Sequence, residues 1–234
     1  AVNTETGVLY LAVNDQLFLL NANNNPNIID VYDFDAEAGV VDMVMDTNGG
    51  LLHLLLGDGT FRGISLTDSS FQTPLGDGDV DRFLMASTGD VFAANGQGIV
   101  MWDGASWNTV ASSGNSAAAP ALSMIEANGV VYAAIEGIGV VRYDIATAAA
   151  LSTWSSANNL HSDTITNMAI SGNQLMLGSP ENGLARFDFV AGFWLSTWTS
   201  GNWLASDAIA GVQRVGSTLY ILNGDSLHTY NTTS

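Results

Sequence analysis

The chain has 234 residues, of which 47% are hydrophobic and 12% charged, so it can bury a sizeable core and is not a disordered segment. Its net charge is −18, and all five basic residues are arginines. Since nucleic acids and anionic membrane surfaces are bound by neutralising their charge, this balance excludes nucleic acid as a partner and disfavours anionic membrane surfaces. The absence of cysteine excludes disulfides and thiolate chemistry, and no apolar run is long enough for membrane insertion.

An apolar segment led by a glycine or a polar residue recurs six times along the chain. The segments begin at positions 7, 50, 89, 129, 173 and 217. Each is followed by a tight turn and a second strand, and Asx-Gly pairs such as Asn95-Gly96 supply the positive φ that a two-residue hairpin requires. A further strand precedes the hairpin in every repeat after the first, and another follows it in every repeat before the last, for example at 70–75 in the second repeat. A period of about 40–45 residues with several short strands is typical of a β-propeller.

The repeat predicts how these strands pack. One four-stranded sheet cannot bury its own apolar faces, so neighbouring sheets must stack face to face around an axis. We therefore predict an all-β fold: a single β-propeller domain over residues 1–234, with six blades of four antiparallel strands. The first repeat keeps at most residues 1–3 of its innermost strand, and the last repeat stops after its third strand, so the end blades are incomplete. Five or seven blades, or a piece of a longer array, are the alternatives.

Three consecutive segments carry a family resemblance. They are Asn159–Ile165 (NLHSDTI), Gly172–Ser179 (GNQLMLGS) and Asn182–Asp188 (NGLARFD). Together they resemble the two-component regulator propeller repeat, whose pattern is roughly NLPSDxI, GxLWIGT and GGLxRYD. This sequence departs from the pattern with His161 in place of proline, and with methionine and serine in place of a tryptophan and a threonine. The match is good over residues 119–223 and weak over residues 1–80, so it covers about half of the chain.

The resemblance implies a location and a kind of role. It implies an extracellular or periplasmic propeller of the kind found in larger surface or sensor proteins that bind carbohydrate or another ligand. The repeat pattern itself contains no catalytic residue, so the resemblance gives the fold more specifically than the activity.

The loops that join consecutive blades on one face form the expected binding surface, because loops on a rigid scaffold commonly carry function. The predicted loops lie at 76–81, 115–119, 158–163 and 202–207. The candidate ligand-binding residues are Asn159, His161 and Asp163 in one loop and Trp203 and Asp207 in the next. Trp203 stands where the equivalent repeat has Asn159, and an aromatic ring in a loop can stack on a sugar or contact a protein.

Other side chains at matched repeat positions are interpreted as structural. Trp154 and Trp198 are repeat-equivalent, so we assign them to packing between blades. The triples at 142–144 (RYD) and 186–188 (RFD) are interpreted as a structural device inside each repeat.

Metal binding and catalysis find little support in the sequence. His53 and His228 lie in apolar strands and no paired-histidine spacing suits zinc, so we expect structural histidines and no cofactor. Asp77, Asp79 and Asp81 alternate like the opening of a calcium loop. The glycine at position six and the acid at position twelve are missing, which favours a solvated turn over a weak Ca²⁺ site.

These observations together predict a non-enzymatic extracellular or cell-surface module that binds a glycan or a protein partner. Two alternatives stay open. One is a glycan hydrolase or lyase that uses paired carboxylates near the central channel. The other is a structural component of a filament or surface layer, in which neighbouring chains complete the end blades.

Overall fold

The computed structural model describes residues 2–3, 8–14, 16–21, 27–33, 39–46, 50–57, 60–68, 70, 80–103, 106–115 and 119–232. This part of the chain forms 22 strands in six sheets, and its one helical element is a 3-10 turn at Ser156–Asn158. Nothing helical within it has the length and apolarity of a membrane span. The all-β prediction is confirmed, and sheets of three or four antiparallel strands give a propeller-like fold.

The chain divides into two compact units. The first comprises Ala1–Ala93 and Met101–Asn108, and the second comprises Ala94–Val100 and Thr109–Ser234, so the third sheet contributes residues to both. A single domain over residues 1–234 stays a prediction.

The first three sheets follow chain order. The first contains β1 (Val2–Asn3), β2 (Val8–Val13), β3 (Gln16–Asn21) and β4 (Asn27–Asp33). The second contains β5 (Val40–Asp46), β6 (Leu51–Leu56) and β7 (Phe61–Ser65). The third contains β8 (Arg82–Met85), β9 (Val91–Asn95), β10 (Gly98–Trp102) and β11 (Trp107–Ser112). Of the strand predicted at 70–75, residues 71–75 lie outside the described residues.

The last three sheets repeat the same up-and-down order. The fourth contains β12 (Ala121–Ala127), β13 (Val130–Ile135), β14 (Gly139–Asp144) and β15 (Ala149–Trp154). The fifth contains β16 (Asn167–Ser171), β17 (Gln174–Gly178), β18 (Leu184–Asp188) and β19 (Phe193–Trp198). The sixth contains β20 (Ile209–Val215), β21 (Thr218–Asn223) and β22 (Ser226–Asn231), so in the described residues it has three strands, as predicted.

In the second unit the core lies between neighbouring sheets. We call the side of a sheet that contacts the next sheet in the chain its forward face, and the opposite side its rear face. The forward face of the fourth sheet includes Tyr132, Ala134, Val140 and Trp154, and it packs on a rear face that includes Leu175, Leu177 and Ala185. The forward face of the fifth sheet includes Met176, Leu184 and Trp198, and it packs on Ile209, Leu219 and Ile221 of the sixth.

The first unit uses the same arrangement between its first two sheets. The forward face of the first sheet presents Tyr10, Leu17 and Leu19, and the rear face of the second presents Leu52, Leu54 and Leu56. Strands covered on both sides are apolar at consecutive positions, as in the buried run Leu54–Leu56.

Aromatic rings confirm that Trp154 and Trp198 pack between sheets. The Trp154 ring centroid lies 4.6 Å from that of Phe187 and 4.8 Å from that of Trp194, both on the fifth sheet. Trp198 repeats the contact one sheet further on, with its centroid 5.0 Å from that of Tyr230.

The arginine of each RYD or RFD triple joins two strands of its own sheet. Arg142 on β14 donates to the carbonyl and hydroxyl oxygens of Ser152 on β15, and its guanidinium carbon lies 4.1 Å from the centroid of the Trp154 ring. Arg186 makes the same set of contacts with Ser196 and Trp198. The sequence prediction of a structural device at these triples is therefore confirmed.

Candidate functional site

Antiparallel topology brings three loop segments of the second unit to one end of the sheets. The turn between the second and third strands of a sheet lies at the same end as its connection to the next sheet. In the fifth sheet the Gly183 amide donates to the Asp207 carbonyl at 2.8 Å, and the Ile209 amide donates to the Ser179 carbonyl at 2.9 Å. We call residues 155–165, 179–183 and 199–208 the loop surface.

The first connection, residues 155–165, is held by hydrogen bonds from its own side chains. Asn158 accepts from the Ser155 amide at 2.7 Å and donates to the Thr153 carbonyl at 2.6 Å. Asp163 accepts from the amide and the hydroxyl of Ser156, seven residues earlier. This carboxylate therefore fixes the loop backbone in addition to any contact it offers a ligand.

The second connection, residues 199–208, repeats the same design. Asn202 accepts from the Thr199 amide at 2.8 Å and donates to the Thr197 carbonyl at 3.0 Å. Asp207 accepts from the Ser200 amide at 2.6 Å. Asp163 and Asp207 are thus equivalent positioning groups in two successive loops.

Each connection is also anchored by an apolar side chain. Leu160 is buried in the core between the fourth and fifth sheets, and Leu204 is buried in the core between the fifth and sixth. A loop with a buried apolar anchor and satisfied backbone groups is ordered before any ligand arrives, which lowers the entropic cost of binding.

His161 lies half-buried against the turn at 179–183. Burial lowers the pKa of His161, and the backbone of Gly183 and Asn182 opposes that shift. Neither ring nitrogen makes a hydrogen bond of normal geometry. The equivalent residue of the next connection is Ala205, so this contact distinguishes one loop from the other.

Asn159 and Trp203 occupy the exposed equivalent position of the two connections. Asn159 has a φ of 80°, a left-handed conformation that asparagine tolerates better than most residues. The Trp203 side chain is 66% exposed, and its ring centroid lies 6.2 Å from that of the buried Trp198. One edge of the Trp203 indole is therefore supported by the core while much of the ring faces solvent.

The turn of the fifth sheet links the two groups of candidate residues. His161 of the first connection lies at the backbone of Asn182 and Gly183, and Asp207 of the second accepts a hydrogen bond from Gly183. The exposed Glu181 and Asn182 join the surface through this turn. Sequence reasoning missed these two residues, although the end of the sheet at which a hairpin turn falls follows from strand order alone.

Several expected features fall outside the described residues. These are Asp77 and Asp79 of the calcium-like segment, most of the loop at 76–81, and residues 116–118 of the loop at 115–119. Within the described ranges, no three His, Asp or Glu side chains gather where they could hold a metal ion.

Comparison with known proteins supports the fold but identifies neither a family nor a function. The sequence matches no protein-family model and no curated protein, so the resemblance to the two-component regulator propeller repeat stays a prediction. A computationally designed protein, Ika8, is similar with a TM-score of 0.73 at 13% identity, over 99% of this chain and 70% of its own. The extracellular domain of a protein assigned as a one-component system in B. thetaiotaomicron is similar with a TM-score of 0.75 at 14% identity, over 98% of this chain. This chain spans 32% of that second structure's length, and at such identities the likeness concerns the fold alone.

Proposed function

We propose that this chain is a non-enzymatic extracellular or periplasmic binding module, whose six sheets are the blades of a propeller and whose loop surface binds a glycan. The similarity of its fold to an extracellular domain supports the location. The ordered connections at 155–165 and 199–208 support a binding role, because they form a fixed platform at one end of the sheets of the second unit.

The exposed indole of Trp203 is the observation that carries this proposal. An exposed tryptophan costs hydrophobic free energy unless a ligand covers it, and here it stands on a loop held by Asn202 and Asp207. The face of an indole stacks on the C–H groups of a sugar ring. The exposed side chains of Asn159, Glu181 and Asn182 supply donors and acceptors for sugar hydroxyls on the same surface.

A glycan array tests the proposal directly. Labelled protein is expected to bind a defined set of glycans, and Trp203→Ala is expected to weaken that binding at least about tenfold, the equivalent of one lost aromatic stacking contact. His161→Ala tests the neighbouring loop in the same format. Phe193→Ala is the matched control, because Phe193 is an exposed aromatic residue of β19 at the opposite end of the fifth sheet.

Two results contradict the proposal. Unchanged glycan binding in the Trp203→Ala and His161→Ala double variant removes the loop surface from consideration. An array with no bound glycan, combined with capture of a defined extracellular protein that Trp203→Ala abolishes, moves the function to the protein-binding alternative.

The non-enzymatic part of the proposal rests on how the two aspartates of the loop surface are used. Asp163 and Asp207 both accept backbone hydrogen bonds within their own loops. Burial raises the pKa of Asp42 on β5, but its oxygens accept from the Met43 and Phe83 amides and so tie the second sheet to the third. We expect glycans bound on the array to be recovered intact after prolonged incubation, and cleavage that Asp163→Asn abolishes would favour the enzyme alternative.

A further inference from the structure

Asn-Gly pairs recur in the hairpin turns of the sheets, and this dipeptide has a chemistry of its own. The backbone nitrogen of the glycine can attack the side-chain carbonyl carbon of the asparagine, because glycine has no Cβ to hinder the approach. Four such pairs lie in the described residues, at 95–96, 128–129, 182–183 and 223–224. A fifth, at 48–49, lies outside them.

Two of the four pairs have the glycine amide held by the next connection. Both lie in turns between the second and third strands, at the end of the sheets that carries the loop surface. The Gly183 amide donates to the Asp207 carbonyl at 2.8 Å, and the Gly224 amide donates to the Ala208 carbonyl at 3.1 Å. Each nitrogen must give up this hydrogen bond before it reaches the side chain of the preceding asparagine.

Side-chain contacts hold the asparagine itself in the third pair and in one of these two. The Asn95 Oδ1 accepts from the Gln97 amide at 2.9 Å, and the Gly96 carbonyl accepts from the Ser113 hydroxyl at 2.8 Å. The Asn223 side chain is fully buried. In these turns the carboxamide cannot rotate towards the glycine nitrogen without breaking contacts.

The fourth pair lies at the opposite end of its sheet, in the turn between β12 and β13. Asn128 is exposed with a φ of 51°, and Gly129 has a φ of 72° with nothing within 4 Å of its Cβ position. Among the described residues, neither the Asn128 side chain nor the Gly129 amide makes a hydrogen bond. This left-handed turn must open to bring the two groups together, and the opening breaks no hydrogen bond to a neighbouring sheet of the described residues.

We propose that Asn128 is a site of spontaneous deamidation in the folded protein. The Gly129 nitrogen bonds to the side-chain carbonyl carbon of Asn128, its proton passes to solvent, and the side-chain nitrogen leaves as ammonia. Water then opens the resulting cyclic imide at either carbonyl, which gives aspartate or isoaspartate. The reaction consumes one water molecule and needs no oxidant, and it is independent of the proposed glycan binding.

The modification changes both the charge and the backbone of this turn. A neutral carboxamide becomes a carboxylate, which adds one negative charge to the net charge of −18. Isoaspartate also adds a methylene group to the main chain of a two-residue turn whose register places Ala127 opposite Val130. Because the turn and the loop surface lie at opposite ends of the sheets, the modified protein is expected to retain its glycan binding.

Peptide mapping by mass spectrometry during incubation in mildly alkaline buffer measures the conversion at each pair. Asn128 is expected to react at least about fivefold faster than Asn95, Asn182 or Asn223, because opening those turns costs at least one further hydrogen bond. Aspartyl and isoaspartyl peptides, which elute separately, should both appear at 128. In urea the folded contacts are lost, so all four pairs should react at similar rates.

Two variants test whether the turn itself determines the rate. Asn128→Gln should abolish the fast reaction, because closure of a larger ring is slower. Gly172→Asn/Asn173→Gly places the same pair in the equivalent turn of the fifth sheet, where Gly172 has a φ of 59° and nothing within 4 Å of its Cβ position. This variant should gain a second fast site. If circular dichroism shows that it does not fold, the comparison between native and urea-unfolded wild type decides.

Three outcomes overturn the proposal. The first is native protein in which Asn128 reacts no faster than the other three asparagines. The second is the same difference in rate in urea, since the local sequence and not the fold would then explain it. The third is a folded Gly172→Asn/Asn173→Gly variant without a new fast site. Trp203→Ala should deamidate like wild type, so failure of the glycan experiment and failure of this one are distinguishable.

Discussion

Single glycines at the start of the third strand allow that strand to approach the backbone of the fourth strand closely in the fourth and fifth sheets. Gly139 and Gly183 have φ values of 104° and 81°, and a Cβ at these positions would lie 2.0 Å and 2.2 Å from the carbonyl oxygens of Trp154 and Trp198. Only glycine combines this backbone conformation with such a close approach.

Gly139→Ala is therefore expected to destabilise the protein by roughly 2–4 kcal/mol, because left-handed strain adds to a clash with backbone. Gly129→Ala is the matched control: Gly129 has a φ of 72° but nothing within 4 Å of its Cβ position, so about 1 kcal/mol is expected. Urea denaturation monitored by tryptophan fluorescence measures both. Equal losses in the two variants would show that the strand does not approach closely at Gly139.

His161 gives a pH dependence with a definite sign. Burial lowers its pKa in the folded protein, so between that pKa and about 6.5 the unfolded chain binds more protons and stability falls as the pH is lowered. Urea midpoints at pH 7.5, 6.5 and 5.5 should fall less steeply in His161→Gln than in wild type. The other histidines and the carboxylates contribute equally to both proteins. A pH profile with the same slope in both proteins would contradict the buried placement of this ring.

Sequence comparison between repeats identified residues whose role is the same in each repeat. Trp154 and Trp198 were assigned to contacts between sheets because they are equivalent, and their rings lie there. The repeat pattern does not identify the hydrogen-bond partners of Asp163 and Asp207. Each carboxylate accepts from the backbone amide seven residues earlier, and only the folded loop brings the two groups together. A contact that recurs in every repeat can be predicted from the repeat period, whereas a hydrogen bond within one loop depends on the backbone conformation of that loop.

At the scale of strands, the arginine on the third strand fixes the position of the fourth. Arg186 donates through two nitrogens to Ser196 and lies over the Trp198 ring at 4.6 Å. A lysine provides one point charge and cannot make this planar, forked contact.

Arg186→Lys is expected to lower the free energy of unfolding by about 1–2 kcal/mol, the usual cost of losing hydrogen bonds to a charged group at a half-buried site. Arg214→Lys serves as control, since Arg214 is exposed on β20 and should change stability by less than about 0.5 kcal/mol. Chemical denaturation compares the two variants, and an equal response would show that the forked contact contributes nothing.

At the scale of loops, Asp207 is expected to order the connection on which Trp203 stands. Asp207→Ala removes the acceptor of the Ser200 amide, so hydrogen exchange of the peptide covering 199–207 should accelerate several-fold while exchange in β17 and β18 is unchanged. Asp225→Ala in the hairpin turn of the sixth sheet removes the same charge and is the control. Unchanged exchange in Asp207→Ala would show that the carboxylate is free for another role.

At the scale of the whole molecule, the sequence repeat predicted the sheets, but it did not predict which face of each sheet packs on which neighbour. Period and hairpin turns were sufficient to predict six similar sheets, because each strand carries its own apolar pattern. The pairing of faces required the structure: alternating residues such as Leu175 and Met176 are both apolar, and only packing shows which one faces the preceding sheet.

The central claim is that neighbouring sheets within a unit pack forward face on rear face, as the fourth, fifth and sixth sheets do. A crystal structure of the chain tests it most directly. We expect antiparallel sheets of three or four strands in which the Trp154 ring centroid lies about 4.6 Å from that of Phe187 and the Trp198 ring centroid about 5.0 Å from that of Tyr230. Helices between the sheets, or two flat layers in which these rings point to solvent, would contradict the claim.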